Sequence, residues 1–315
     1  MSFSRRSFLA GLGVLVPLPA WAQAIGRQSD PWAQVDPYAD SRNGFPAAPP
    51  GGSVTRPADG VFSAPPGAAM DEAEEVELGR AFYPQMVAKR GGAHPDARLQ
   101  AALRQFCQPL FAVADRRRLP WEVTLVNDPS PNAAAFAGGK IVVHAGLLPL
   151  CDNGGELAAT VAHEIGHVDK YHTVRARPML DLIARLRASG AGAEFSAALP
   201  QLLSGGEQVR DVWELFRLSY SREDETEADA HEMTIFERLG VDPIHAVRDQ
   251  ENFVRMTKGK SGGTELALTH PQPVKRLERI RSLAAMSPRP AQDYAFAGWD
   301  ALKAAYPTLP DFKKT

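Results

Sequence analysis

The stretch His163-Glu164-Ile165-Gly166-His167 places two imidazoles and a carboxylate within one short run. On a helix, residues four apart are turned by about 400°, so both His side chains leave one face about one turn apart. That spacing lets two ring nitrogens reach a single Zn²⁺ at about 2.0–2.1 Å. Glu164 stands beside them, placed to take a proton from water activated by the metal. Val161, Ile165 and Val168 supply apolar neighbours that would bury this helix. The plainer reading is two His packed within a core helix. With eight His in the chain, a chance match to the pattern is on the order of one in a hundred.

Two His leave zinc short of a third protein ligand. His172 follows His167 by five residues, about 140° round the helix. It reads as a residue near the helix C-terminus, where the macrodipole favours a cation. Glu225 and Asp229 are again four apart on an expected helix and share a face. Glu225 is a candidate ligand. Asp229 is a candidate acceptor for the second ring N–H of a ligand His, which would hold its tautomer. Glu223, Asp224 and Glu227 read as the solvated acidic side of that helix.

The elements that must position these groups follow from patterning. Asp71-Glu72-Ala73-Glu74-Glu75 puts acids at a helix start. Leu99, Leu103, Phe106, Leu110 and Phe111 recur at helical spacing and predict an amphipathic helix ending before Pro120. Trp121–Val126 and Ile141–His144 read as strands, with Gly138-Gly139 turning the chain before the second. From Glu156 onward the pattern is helical, and there are no internal repeats. The expected fold is α+β, mostly helical, with a small sheet beside the zinc helix.

As a set, these residues resemble the HtpX-like and CAAX-prenyl-protease family of zinc metalloendopeptidases, a gluzincin group. The resemblance covers roughly Asp71 to Leu283. It rests on His163–His167 with Glu225-x-x-x-Asp229. It extends to Asn132-Ala133 through Val143 and Gly146-Leu147-Leu148, to Ser221-Arg222 with Ala228-Asp229, and to Thr269-His270-Pro271 with Arg276. The chain lacks the membrane spans of many such proteins and so is similar to the soluble periplasmic, BepA-like branch. It lacks that branch's tetratricopeptide repeats.

The resemblance implies a single zinc held by His163, His167 and Glu225, with Glu164 as general base and acid and Asp229 supporting a ligand. His270 falls in the C-terminal motif. It would polarise the scissile carbonyl, act as a removable fourth ligand, or simply shape the turn before Pro271. Arg276 would salt-bridge near the site or face solvent. Gly139, Lys140, Ile141 and Val142 are candidates to hold an extended substrate along a free strand edge. The alternative is an internal strand with no substrate. The segment Thr173–Gly206 would be a lid over the site or two helices completing the core.

The N-terminus reads as an address. Arg5-Arg6 precede a broken apolar stretch, and Ala20-Trp21-Ala22 has the form of a cleavage site, with Ala22-Gln23-Ala24 as a second candidate. Ser4-Arg5-Arg6-Ser7-Phe8-Leu9 is similar to a twin-arginine export signal. Residues 1–22 are thus expected to be removed. Residues 23–70, rich in Pro and Gly, form a linker with too little apolar surface to order itself. Residues 71–315 form the peptidase domain. Cys107 and Cys151 are the only two cysteines, either bridged in an oxidising compartment or buried as thiols.

Composition narrows the function. Charged residues make up 23% and the net charge is −2, which gives no electrostatic reason to expect nucleic acid. No later stretch is long and apolar enough to span a membrane. The resemblance and the export signal together imply a periplasmic zinc endopeptidase acting on misfolded or unassembled envelope proteins. One alternative is a chaperone or assembly factor for outer-membrane proteins whose peptidase is latent or minor. Another is a zinc protein without hydrolysis. Glu164 argues against the last, because a structural site needs no base and closes with four protein ligands.

Overall fold

The computed structural model describes residues 71–175, 220–258 and 270–307. The expected export signal and linker, and nearly all of the Thr173–Gly206 segment, lie outside them. Helix α1 (Glu72–Lys89) begins at Asp71, whose carboxylate accepts from the Glu74 N–H while Glu74 reaches back to the Asp71 N–H. This reciprocal cap satisfies two donors that a helix start leaves orphaned. Helix α2 (Ala97–Val113) buries Leu99, Leu103, Phe106 and Leu110 along one face, as their spacing predicts.

Three strands follow: β1 (Glu122–Val126), β2 (Ala133–Phe136) and β3 (Lys140–His144). Their order is β1-β3-β2, with β3 parallel to β1 and antiparallel to β2. The β2–β3 turn runs through Gly138 and Gly139, whose φ values of 70° and 76° lie in the left-handed region that glycine tolerates. A 3₁₀ segment (Ala145–Leu150) leads to α3 (Gly154–Asp169).

The strand order corrects the substrate-edge expectation. β3 is the central strand, and every residue from Lys140 to His144 is buried. Both of its edges are hydrogen-bonded to neighbours, so Gly139, Lys140, Ile141 and Val142 present no free edge. The Lys140 ammonium is turned to the Pro120 carbonyl at 2.9 Å and to Glu122 at 3.0 Å. The edge strands are β1, whose outer side is bridged by Ala93 at Val126, and β2, whose outer side has no strand partner among the described residues.

Helix α3 is the hub. All its residues except Thr160 are buried, including Glu156, His163, Glu164, His167 and Asp169, so elements pack on it from every side. It packs on α5 (Arg222–Leu239), α6 (Ile244–Thr257), α2 and β2. A short helix, α4 (His172–Arg175), follows it, and α7 (Pro273–Met286) and α8 (Trp299–Ala305) complete the described elements. The α3–α5 crossing is close because residue 166 is glycine. A Cβ there would stand 3.0 Å from the Ala228 Cα. No helix among the described residues is long and apolar enough to cross a membrane.

Polar anchors pin the base of α3. Asp169 accepts from the Asp115 and Arg116 N–H groups and meets His231 Nε2 at 2.7 Å. Arg116 forms a buried pair with Glu75 at 2.6 Å, and Glu75 also accepts from the Gly138 N–H. Helix α1, the β2–β3 turn and the end of α3 are thereby joined. Cys107 and Cys151 are both buried free thiols, and burial pushes both pKa values up. The disulfide alternative is not realised.

Candidate metal centre

Helices α3 and α5 bring the two sequence motifs face to face. His163 Nε2 and His167 Nε2 lie 3.1 Å apart. Glu225 Oε2 is 3.5 Å from the first and Glu225 Oε1 is 3.4 Å from the second. Tetrahedral ligands at zinc distances stand about 3.3–3.4 Å apart, so the donor set fits that ion. Two facing imidazole nitrogens beside a carboxylate are otherwise an awkward buried arrangement. His163, His167, Glu225 and His270 form one group whose ligand atoms all lie within 4.8 Å of one another, and all four are buried.

The charges fit as well. Burial and the Arg276 charge oppose protonation of His163, but Asp229 and Glu225 outweigh them and lift its pKa to about 10. A cation is therefore favoured where the ring nitrogens converge. Burial holds His167 well below its ordinary value, which keeps its imidazole neutral. Burial opposes ionisation of Glu225, yet the Arg276 charge and the imidazoles around it hold it well below the usual carboxylate range.

Glu164 leaves α3 next to His163 and is 1% exposed. Its Oε1 is 3.4 Å from His270 Nε2, and its Oε2 is buried with no hydrogen-bond partner. A carboxylate oxygen without a partner beside a candidate metal is what a general base needs. His270 Nδ1 is 3.1 Å from Glu225 Oε1, so the C-terminal motif joins the group rather than shaping a remote turn.

Asp229 Oδ1 is 3.2 Å from His163 Nδ1, opposite the nitrogen that faces His167. Arg276, left open by the sequence, is buried at the site. It pairs with Asp229 and brings Nη1 to 2.9 Å from Glu225 Oε2. That last approach is an ion contact without hydrogen-bond alignment. Glu223 stays exposed on the outer side of α5, as expected, whereas Asp224 is half-buried, accepts from the Ser221 N–H and stands 3.4 Å from His172 Nε2.

His172 overturns its expectation. The helix stops at Asp169, Tyr171 takes φ 62°, and α4 starts in a new direction. His172 is thereby buried with Nδ1 2.9 Å from His167 Nδ1, while its Nε2 meets Glu227 at 3.0 Å. Glu227 is thus a partner and not merely a solvated acid. With Nε2 of His167 facing the ligand group, its Nδ1 carries the proton and donates to His172, which donates in turn to Glu227. Tyr220, which no sequence pattern marked, stacks on the His167 ring at 3.5 Å between centroids. Gly139, Lys140, Ile141 and Val142 do not line the cavity beside the group, whereas Asn132 and Ala133 at the start of β2 do.

Fold and site together define a metallopeptidase domain, and the comparisons agree. Residues 96–284 match peptidase family M48, and the chain belongs to that family. It is 32% identical over 251 residues to the beta-barrel assembly-enhancing protease of Yersinia pestis, covering 73% of this chain and 49% of that protein. It is 29% identical over 223 residues to the protein of the same name from Escherichia coli strain K12, covering 69% and 45%. With the mitochondrial metalloendopeptidase OMA1 of Saccharomyces cerevisiae it shares 31% over 171 residues, or 51% and 46% of the two chains. The chain spans about half the length of the curated relatives it matches.

Proposed function

We propose that this chain is a zinc-dependent endopeptidase of envelope proteins, with His163, His167 and Glu225 holding one zinc and Glu164 as general base. The observation that carries the reading is the convergence of those three donors beside a buried, unpartnered Glu164 oxygen. Zinc, when bound, supplies Lewis acidity that polarises a carbonyl and acidifies water.

The chain's own residues do the rest. Glu164 Oε2 accepts the proton of the attacking water and returns it to the leaving amine. Asp229 and His172 fix the two ligand imidazoles from behind. The Asn132 Nδ2, buried without a partner in the same cavity, is a donor for a substrate carbonyl. β2 is the edge along which an extended substrate would lie.

The N-terminal residues support export to the periplasm, by the twin-arginine route on their pattern. The name of the bacterial relatives, beta-barrel assembly-enhancing protease, supports a role in the envelope, and we take misfolded or unassembled envelope proteins as the substrates on that basis and on the expected compartment. A second reading has its own support. His270 lies within ligand reach, so it can complete a closed four-donor set and hold the peptidase latent while the protein acts as a chaperone or assembly factor.

Cleavage of casein by the zinc-loaded protein separates these readings. Activity that is lost in Glu164→Gln and on chelation supports the peptidase. No cleavage by wild type, with cleavage gained by His270→Ala, supports latency. No cleavage by either refutes the peptidase.

A further inference from the structure

A cavity opens beside Glu164 and His270, and two of its lining side chains are carboxylates without a role in the chemistry above: Glu232 on α5 and Asp249 on α6. Glu232 is 3% exposed; its carboxylate stands within 4.8 Å of ligand atoms of His163 and Asp229, but it makes no hydrogen bond or ion pair with another described residue. Asp249 accepts one hydrogen bond, from Thr160 Oγ1 at 3.0 Å, and has no cationic partner among the described residues. Arg276 also lines the cavity, but its guanidinium is committed to Asp229 and Glu225. The unpartnered Asn132 Nδ2 shares the cavity, so a donor for a peptide carbonyl and two acids without a hydrogen-bonded cation face one space.

Carboxylates shielded from water without a hydrogen-bonded cation are costly. Here they lie beside the group that would cut the chain, with Leu147 and Phe253 as apolar wall for an aliphatic stem. We propose that this cavity is a specificity subsite for a Lys or Arg side chain next to the scissile bond, paired with Glu232 and Asp249. The inference rests on the peptidase reading and deepens it. The Asn132 amide holds the substrate backbone at the mouth, and the cationic head enters between the two acids.

The test uses quenched-fluorescence peptides that differ at one position at a time on either side of the cleaved bond, carrying Lys, norleucine or Glu. The zinc-loaded wild type should prefer Lys over norleucine at one of these positions by about tenfold in kcat/KM. Asp249→Asn and Glu232→Gln should each shrink that ratio, and the pair together should abolish it. Cleavage without a Lys preference at any position overturns the subsite and leaves the peptidase standing. A preference that survives both neutralisations also overturns it.

Should no peptide be cut by wild type or by His270→Ala, the peptidase reading fails on its own. The subsite is then judged by fluorescence anisotropy of the same labelled peptides on Glu164→Gln. The Lys peptide must bind about tenfold more tightly than its norleucine counterpart, and equal binding refutes the proposal. The preference is read on chains with both acids intact, so poor folding of a variant does not hide it.

Discussion

Arg276 grips Asp229 as a fork, with Nη2 2.7 Å from Oδ1 and Nε within 3.2 Å and 3.3 Å of the two oxygens. Asp229 in turn faces His163. A ligand of α3 is therefore held by an acid of α5, and that acid by a cation of α7. The second cation at Asp229, Arg279, stands 3.2 Å from Oδ2 and is partly exposed.

Removing the fork leaves two carboxylates buried with too little charge around them. Arg276→Ala should destabilise the metal-free protein by about 3–5 kcal/mol. Arg276→Lys keeps the charge but not the fork and should lose less. Urea unfolding of chelator-treated protein measures both. A cost under about 1 kcal/mol for the Ala variant would show that Arg279 and water suffice.

His172 orients His167 and does not itself point at the ligand group. His172→Ala should weaken zinc by about 10–100-fold in a chelator competition while the fold stays intact by circular dichroism. His172→Asn, which can still accept at a similar place, should recover part of the loss. Wild-type affinity in the Ala variant would make the His167 contact incidental.

These two residues mark where the sequence was legible and where it was not. Helical spacing made His163, His167, Glu225 and Asp229 readable, because four residues bring side chains back to one face. His172 was misplaced because that count assumes an unbroken helix, and Tyr171 at φ 62° breaks it. Tyr220 meets His167 through tertiary packing alone, and no period points to it. The placement of β3 had a missed signal. Ile141-Val142-Val143 is a continuous apolar run, which suits a strand covered on both faces better than a substrate edge. The partners of Arg276 sit 47 and 51 positions away in the chain and were beyond any local reading.

Asp249 should leave a signature in the pH dependence of stability. Burial pushes its carboxyl up to about 7, against the hydrogen bond from Thr160. An unfolded Asp titrates near about 3.9. Between about pH 4 and 7 the folded chain therefore keeps a proton that the unfolded chain has released, and stability falls as pH rises. Asp249→Asn removes this slope. On metal-free protein its melting temperature should exceed that of wild type by a few degrees at pH 7.5 and by much less at pH 4.5. An equal gap at both values would rule out the buried acid as the cause.

The two thiols give a direct check on packing. Cys107 and Cys151 should resist alkylation in the native protein, and both should react once it is unfolded without reductant. Two blocked cysteines after non-reducing denaturation would show a bridge instead.

The Gly166–Ala228 approach should respond to single carbon atoms. Gly166→Ala puts a methyl group 3.0 Å from one backbone atom of α5 and 3.2 Å from another, so the helices must part by a few tenths of an ångström. Glu225 retreats with α5, and zinc affinity by chelator competition should drop, more in Gly166→Val than in Gly166→Ala. Unaltered affinity in both would place the control of ligand spacing elsewhere.

That crossing also bears on how such chains diversify. The spacing of the ligands is set where two helices touch, and not by the tether that joins them. The cost of closing a tether grows only slowly with its length. Length changes in the chain ahead of Tyr220, which must keep its place on the His167 ring, are thus compatible with unmoved donor atoms. Lineages sharing this pair of helices are free to elaborate new recognition features on that stretch while inheriting an unaltered chemical core.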